Sequence, residues 1–460
     1  MTCTVSSPRS PHDTVIIRNL VVIKYTDVDY YVYTDAARLM TQHRSPYDRS
    51  TYRYTPFLAV LMVPAVLVWE PLGKIVFAWA DVLAGLLTAG TLVEWGCELE
   101  PEAENGSHCD DKPSNDQRLT LKHALIASAT LVFSPLAINL STRGSADSLT
   151  CALASGMLYA LMRYTKRRDR GMLLVAAVVF GVLVHFRLFP IIFALPLTLF
   201  ILRTSSSFES RGGKADGAGG AAAEKRQSKT LKKRESNDPI TPFARLRSVN
   251  LKDALIFALV SGSTCVLLTA AAFWMYGRDY LDEALLYHIR RVDVRHNFSL
   301  SFYPSYLRMY LEASETGLRP ELMSVISLVD RLLKLVPWGL QVLLGLAFYS
   351  NLPFCLMLQT IVFVIFNRVI TAQYFLWWSS FIPFLLFMTL RAYSQADKLR
   401  AHPGKDSRLK SNTGMPWIGI LLRYLTGVVT WLSLEVAWLV SAMYVEIYGQ
   451  PVRWAMTSLI

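Results

Sequence analysis

Little in this chain could build a disulfide scaffold or a thiolate metal site. Its six cysteines, Cys3, Cys97, Cys109, Cys151, Cys265 and Cys355, are spread over 460 residues with no CxxC pair. Charge is also scarce. Asp, Glu, Lys and Arg make up 18% of the chain, against about 25% in soluble globular proteins. The charges gather in loops and leave long windows almost free of them. That distribution excludes an ordinary soluble domain and predicts a polytopic membrane protein. No internal repeat is present, which argues against a solenoid. The first residues lack the basic, apolar and small-residue order of a secretory signal.

What is abundant fits the same class. The chain is 52% hydrophobic, with 21 prolines and 11 tryptophans. Proline is tolerated in membrane helices, and tryptophan favours the interface. The formal charge of +12 would point a soluble protein towards nucleic acid. Here the basic residues cluster beside apolar segments, so cytoplasmic retention explains them and no nucleic-acid partner is expected.

Apolar runs predict spans near 72–93, 122–140, 149–162, 172–184, 191–202, 254–276, within 322–350, and near 352–366, 375–390, 417–434 and 436–448. The run 55–69 is short and interrupted by Pro64, as in an interfacial or re-entrant helix. Segment 14–24 is also short and carries Arg18; it is expected either to be the end of a full first span that begins upstream, the favoured reading, or to be an interfacial helix or strand. The chain therefore divides into an N-terminal segment 1–23, a polar stretch 24–56, a first set of spans within 57–202, a basic linker 203–251, and a second set within 252–460. The linker is rich in Gly, Ala, Ser, Lys and Arg, a composition expected to be disordered. Asp81 is an acid inside a span, either functional or placed near a helix end.

The polar stretch carries the chemistry. YTDVDYYVYTDAAR (25–38) contains the pair Asp27 and Asp29, then Asp35; RSPYDRSTYRYTP (44–56) supplies Arg44, Arg49 and Arg53 among tyrosines. Alternation places the two carboxylates of the pair on one side of an extended segment. Four more polar clusters sit at span ends: STRGSADS (141–148), HFRLFP (185–190), YHIRRVDVRHNFS (287–299) and NRVITAQYFLWW (367–378). If each span crosses once, all five clusters share one membrane face. The basic segments 163–170, 203–251 and 391–411 fall on the other, as the positive-inside rule requires. Cations suit a phosphate leaving group: Arg143, His185, Arg187, Arg290, Arg291, Arg295, His296 and Arg368. A hydroxyl acceptor needs a base, and either Asp27 or Asp29 fits. A transporter would instead place its polar residues at the midplane, on broken helices.

These five segments, in this order, resemble the catalytic subunits of the GPI mannosyltransferase I family. Segment 141–148 is similar to the family's SSRGNADS, 185–190 to VHxKxYP, 287–299 to YHxxRRDIRHNFS, and 367–378 to FNKVxTSQYFLWY. The resemblance implies an all-α, GT-C type multi-span bundle in the endoplasmic reticulum membrane, with its active-site loops in the lumen. It implies inverting α-1,4-mannosyl transfer from dolichyl-phosphate mannose to glucosaminyl-phosphatidylinositol. Catalysis is assigned to Asp27 and Asp29. Substrate contacts are assigned to Asp35, Arg53, Arg143, Asp147, His185, Arg187, Arg291, Arg295, His296, Asn297, Arg368 and Gln373. No cofactor is expected, a divalent metal is left open, and a small stabilising membrane subunit is implied. The chain departs from the family at its short first apolar segment, at the 203–251 insert, and at Arg187 and Arg368, where the family has Lys. The alternative reading is another dolichyl-phosphate-sugar transferase with a different acceptor.

Overall fold

The computed structural model describes residues 25–98, 115–204 except 168, 250–290, 299–309 except 303, 306 and 307, 320–401, and scattered positions from 426 to 444. The segment 1–23, most of the linker 203–251, most of the two last expected spans, and Arg291, Arg295, His296 and Asn297 lie outside the described residues. Among the described residues every regular element is helical.

The polar stretch folds as a helix where extended chain is expected. Helix α1 (Val28–Thr41) begins directly after Asp27, whose carboxylate accepts the Asp29 backbone N–H at 3.3 Å. Asp is a strong N-cap residue, which explains the start. Tyr30, Tyr33 and Ala37 recur at helical spacing and are all fully buried. The two carboxylates therefore sit at a helix N-terminus. Pro56 opens α2 (Pro56–Leu67) at a position where a missing N–H does no harm. Tyr52 ties the turn before it, donating to the Thr55 carbonyl at 2.6 Å and accepting from Ala59 N–H at 3.1 Å.

Next come α3 (Leu72–Glu98), α4 (Asn115–Val132) and α5 (Pro135–Arg143). The span expected at 122–140 is broken, because α4 and α5 meet at 47°. Pro135 causes the break: it disfavours helix in the residue before it, and Ser134 caps the new helix. Gly144 ends α5 at φ +99, with the Tyr30 ring where a Cβ would stand. Then follow α6 (Asp147–Arg167), α7 (Arg170–Phe186), a 3-10 turn (Phe189–Phe193) and α8 (Ala194–Arg203). Helix α9 (Leu251–Tyr280) runs into a π-helical turn (Leu281–Leu286) and α10 (Tyr287–Arg290). The rest is α11 (Pro320–Phe348), α12 (Leu352–Ile365), α13 (Phe375–Ser379) and α14 (Ile382–Ala401).

The core forms where α3 packs along α6, α6 along α7, and α7 along α9. Leu92, Leu158, Phe180, Phe193, Phe257 and Phe387 are buried there. Close approach of α7 and α9 depends on Gly181, where a Cβ would lie 2.5 Å from the Ser261 carbonyl. Among the described residues four helices are long and apolar enough to cross a bilayer, or five counting α4–α5 as one bent span. Leu259, Leu267 and Trp274 on α9 and Leu335 and Leu343 on α11 are exposed, as lipid-facing residues would be.

Helix α6 sets the polarity of the bundle. It is 21 residues long, or about 30 Å. Asp147 stands at one end among the motif residues. Lys166 stands at the other, bonded to Glu94 at 3.0 Å.

Candidate active site

The site starts from a backbone contact. Asp27 N–H donates to the Arg143 carbonyl at 2.9 Å, so the end of α5 holds the start of α1. The buried Tyr30 ring lies against Gly144 and its phenol donates to the Glu70 carbonyl, closing the same corner. Asp29, one residue into α1, is half-buried. Gln373 Nε2 stands 3.5 Å from its carboxylate, bridging 344 positions of sequence. The Tyr54 phenol and the Arg187 charge also act on this carboxylate. Burial pushes the Asp29 carboxyl above its usual range, and Asp27 pushes it further; Tyr54, Arg187 and Gln373 oppose both but do not cancel them.

Beside Asp29 lies a buried ion pair. Asp147 is fully buried and accepts from Arg187 at 2.6 Å, Trp377 Nε1 at 3.2 Å and the Ser145 hydroxyl at 3.2 Å. Burial opposes the Arg187 charge, but the Asp147 carboxylate and the phenol groups of Tyr54, Tyr33 and Tyr374 together outweigh it and hold the guanidinium protonated. The Arg187 guanidinium also lies 5.2 Å from the Tyr54 ring centre and 5.9 Å from that of Trp377. Trp377 stacks on Phe189 at 4.1 Å and on Tyr374 at 4.3 Å. An aromatic floor therefore carries the cation.

These groups border a cavity of about 470 Å³. Arg53, His185, Arg187, His288, Asn367 and Arg368 form its polar part; Phe189, Ile192, Leu333, Trp338 and Phe363 are among its apolar walls. Asp29 does not line the cavity and meets it through Tyr54 and Arg187, which do. Arg53 is salt-bridged to Glu283 on the π-helical turn, and its guanidinium lies 4.1 Å from the Tyr287 ring centre. His288 Nε2 is 3.0 Å from the Arg53 carbonyl, and the Ser299 hydroxyl donates to the Arg368 carbonyl at 2.6 Å. The described residues on either side of 291–298 are thus both tied to the cavity rim.

Most of the described candidates converge here: Asp27, Asp29, Arg53, Arg143, Asp147, His185, Arg187, Arg368 and Gln373. His185 lines the cavity and hydrogen-bonds Thr269 on α9 at 3.2 Å. Asp35 does not join them. It pairs with Arg38 at 3.0 Å and Arg49 at 3.2 Å on the outer face of α1, because i,i+3 spacing makes the first two helix neighbours. Tyr54, His288, Asp330, Lys334 and Trp377 belong to the site but are not singled out by the sequence. For Asp330 and Lys334 a signal existed, since charges inside an apolar span are rarely idle. Among the described residues no three His, Cys, Asp or Glu side chains converge as a metal site would require.

Known proteins resemble the chain over nearly all of this structure. The family profile described as mannosyltransferase (PIG-M) matches residues 226–457, and that of GPI transamidase subunit PIG-U matches 20–303. GPI mannosyltransferase 1 of Dictyostelium discoideum is 34% identical over 371 residues, covering 80% of this chain and 72% of that protein. The GPI alpha-1,4-mannosyltransferase I catalytic subunit of Danio rerio is 34% identical over 429 residues, covering 93% and 83%. GPI mannosyltransferase 1 of Saccharomyces cerevisiae is 30% identical over 370 residues, covering 80% and 73%. With its apolar helices and its cationic cavity beside a carboxylate pair, this chain belongs to the GPI mannosyltransferase I family, as a multi-pass membrane glycosyltransferase.

Proposed function

We propose that the chain transfers the first, α-1,4-linked mannose of the GPI anchor. The donor in this reading is dolichyl-phosphate mannose, the acceptor is glucosaminyl-phosphatidylinositol, and the site faces the lumen of the endoplasmic reticulum. One observation carries it: Tyr54 and Arg187 separate a carboxylate pair on one side from a cationic, partly apolar cavity on the other. The cavity suits a phosphate joined to a long hydrocarbon. The half-buried Asp29 suits a hydroxyl arriving from the opposite side. A single displacement with inversion needs attacking and leaving oxygens on opposite faces of the reacting carbon, and a base and a cationic cavity on two sides of Tyr54 and Arg187 support that reading.

Asp29 is the base in this reading. Its raised carboxyl holds a proton more tightly than an ordinary aspartate, which favours proton abstraction near neutral pH. It takes the proton of the acceptor 4-hydroxyl as that oxygen bonds to mannose C1. The C1–O bond to the donor phosphate breaks, and its electron pair leaves on dolichyl phosphate. Arg187 and Arg368 stabilise the charge that develops there. Asp27 caps the helix that carries Asp29 and fixes its direction. Tyr374, which lines the cavity and rests on Trp377, offers an aromatic ring to the sugar in this reading. No cofactor enters this reaction. The reading includes the small membrane subunit that the resemblance implies, which co-purification from mild detergent would detect.

Microsomes from cells depleted of the chain supply the test, given labelled dolichyl-phosphate mannose and glucosaminyl-phosphatidylinositol. Mannosylated product should appear only when this chain is restored. Product formed equally without it, or transfer to a different acceptor only, overturns the assignment. Chelator treatment that abolishes activity, reversed by one divalent cation, would recast Asp27 and Asp29 as metal ligands.

A further inference from the structure

Helix α11 is apolar and lies mostly outside the packed core, yet carries Asp330, Arg331 and Lys334 within five residues. Arg331 turns back to its own helix, within 3.4 Å of the Ser327 carbonyl and hydroxyl. Asp330 and Lys334 behave differently. They pair with each other across one helical turn, and both line the cavity that holds Arg53, Arg187 and Arg368. Leucines would serve better if the helix only faced lipid, since even a paired charge is costly in hydrocarbon.

The register of α11 against α12 gives their depth. Gln341 and Gln359 are buried and hydrogen-bond each other's backbone carbonyls at 2.8 and 2.9 Å. The two helices are antiparallel neighbours joined through residues 349–351, so position 334 lies level with 366, at the end of α12. Asn367 and Arg368 begin the last polar motif at that level. The pair therefore stands at the depth of the site and not at mid-bilayer. A helical side chain also leans towards its helix N-terminus, which for α11 is the motif side.

Resting on the function proposed above, we propose that Lys334 binds the phosphate of a lipid-linked substrate, with Asp330 as the counter-ion that orients its ammonium. Four cations, Arg53, Arg187, Arg368 and Lys334, line the cavity with one acid, Asp330, while Glu283 and Asp147 pair with Arg53 and Arg187 from outside the lining. Such a set of cationic donors fits a phosphodiester, whose oxygens accept from groups that are also ion-paired. The apolar neighbours Leu333, Pro337 and Trp338 on the same helix wall fit the hydrocarbon that follows it. Both substrates carry such a phosphate, and the test tells them apart.

KM for the donor and for the acceptor is measured separately in microsomes containing the full chain or its variants. Lys334→Gln should raise one KM about tenfold, the fold-change for one lost charge-assisted hydrogen bond, with kcat nearly unchanged. Lys334→Arg should restore it, and the substrate whose KM moves is the one bound. Unchanged values of both KM, or a fall in kcat alone, overturns the proposal. Retention of radiolabelled dolichyl phosphate and of phosphatidylinositol by the purified chain in detergent gives a readout without turnover. If the unaltered chain forms no product, the proposed function fails. Loss of one lipid phosphate in Lys334→Gln then still supports this site, and equal retention of both overturns it.

Discussion

The two ends of α6 handle buried charge in different ways. At the Lys166 end, acids are matched by cations at the rim. Glu94 meets Lys166 and Arg163, while Asp253 receives Tyr164, Asn250 and Arg170. At the Asp147 end the pairing is tighter and incomplete. Asp147 is saturated, but the buried Nε atoms of Arg143 and Arg187 have no hydrogen-bond partner among the described residues. Polarity alone therefore does not mark the site. Buried cationic donors with capacity left over, beside a cavity, do so, because such donors seek an anion.

The sharpest break in this comparison is chemical. Asp29→Asn should lower kcat by about 10²–10⁴ with acceptor KM little changed, as for loss of a general base. Asp27→Asn should lose less, since Asn caps a helix as well as Asp. A larger loss in Asp27→Asn would exchange their roles. The acid limb of the kcat–pH profile should lie above the ordinary carboxylate value of 3.8, because burial raises the Asp29 carboxyl. Stability should move the other way. A raised folded-state pKa means the folded chain binds this proton more tightly than the unfolded one. This group therefore adds stability as pH falls through its folded pKa, while activity is lost over the same interval.

Next in size is the ion pair. Asp147→Asn leaves the Arg187 guanidinium buried without its anion, so unfolding in detergent should show a loss of about 3–5 kcal/mol. Gly144→Ala should cost about 1–3 kcal/mol in the same assay, through backbone strain at φ +99. It should also lower kcat, because the Tyr30 ring that it displaces belongs to α1. The smallest effect belongs to the far end. Lys166→Ala takes one cation from the buried Glu94, which keeps Arg163 at 3.7 Å, so the loss should be about 1–2 kcal/mol with kcat unchanged. A large loss of activity there would erase the distinction between the two ends.

Much of this was legible in sequence because hydrophobic runs and loop charges are local signals. They place α3, α6, α7, α9 and α11 and gather segments 141–148, 185–190 and 367–374 near Asp27. The family membership removes the transporter alternative. The contacts that make the site are not local. Gln373 reaches Asp29, and Trp377 reaches Asp147 across 230 positions; no periodicity encodes such pairs. Spacing also misleads where two backbone forms compete. Asp-x-Asp reads as one side of extended chain, but capping and the Tyr30–Tyr33–Ala37 face make it a helix start. Asp35 looked like part of the same acidic set and is an i,i+3 partner of Arg38. The charge of Lys334 inside an apolar run is a sequence signal, but its level beside the site follows only from the Gln341–Gln359 register.

The hydrogen bond from Gln373 to Asp29 has a genetic consequence. The carboxylates, Asp147 and Arg187 precede the linker, while Arg368, Gln373 and Trp377 follow it. The halves meet through side-chain and helix contacts, such as α7 on α9 and Gln373 on Asp29. A reading frame stopped anywhere before residue 377 makes a protein lacking the aromatic floor beneath Arg187, so early stop alleles should be full losses and not partial ones. A lesion at Asp29 and another at Gln373 fall in different halves of one site. Intragenic complementation between them becomes physically allowed once the halves, divided between 204 and 250, are made as separate polypeptides in one membrane.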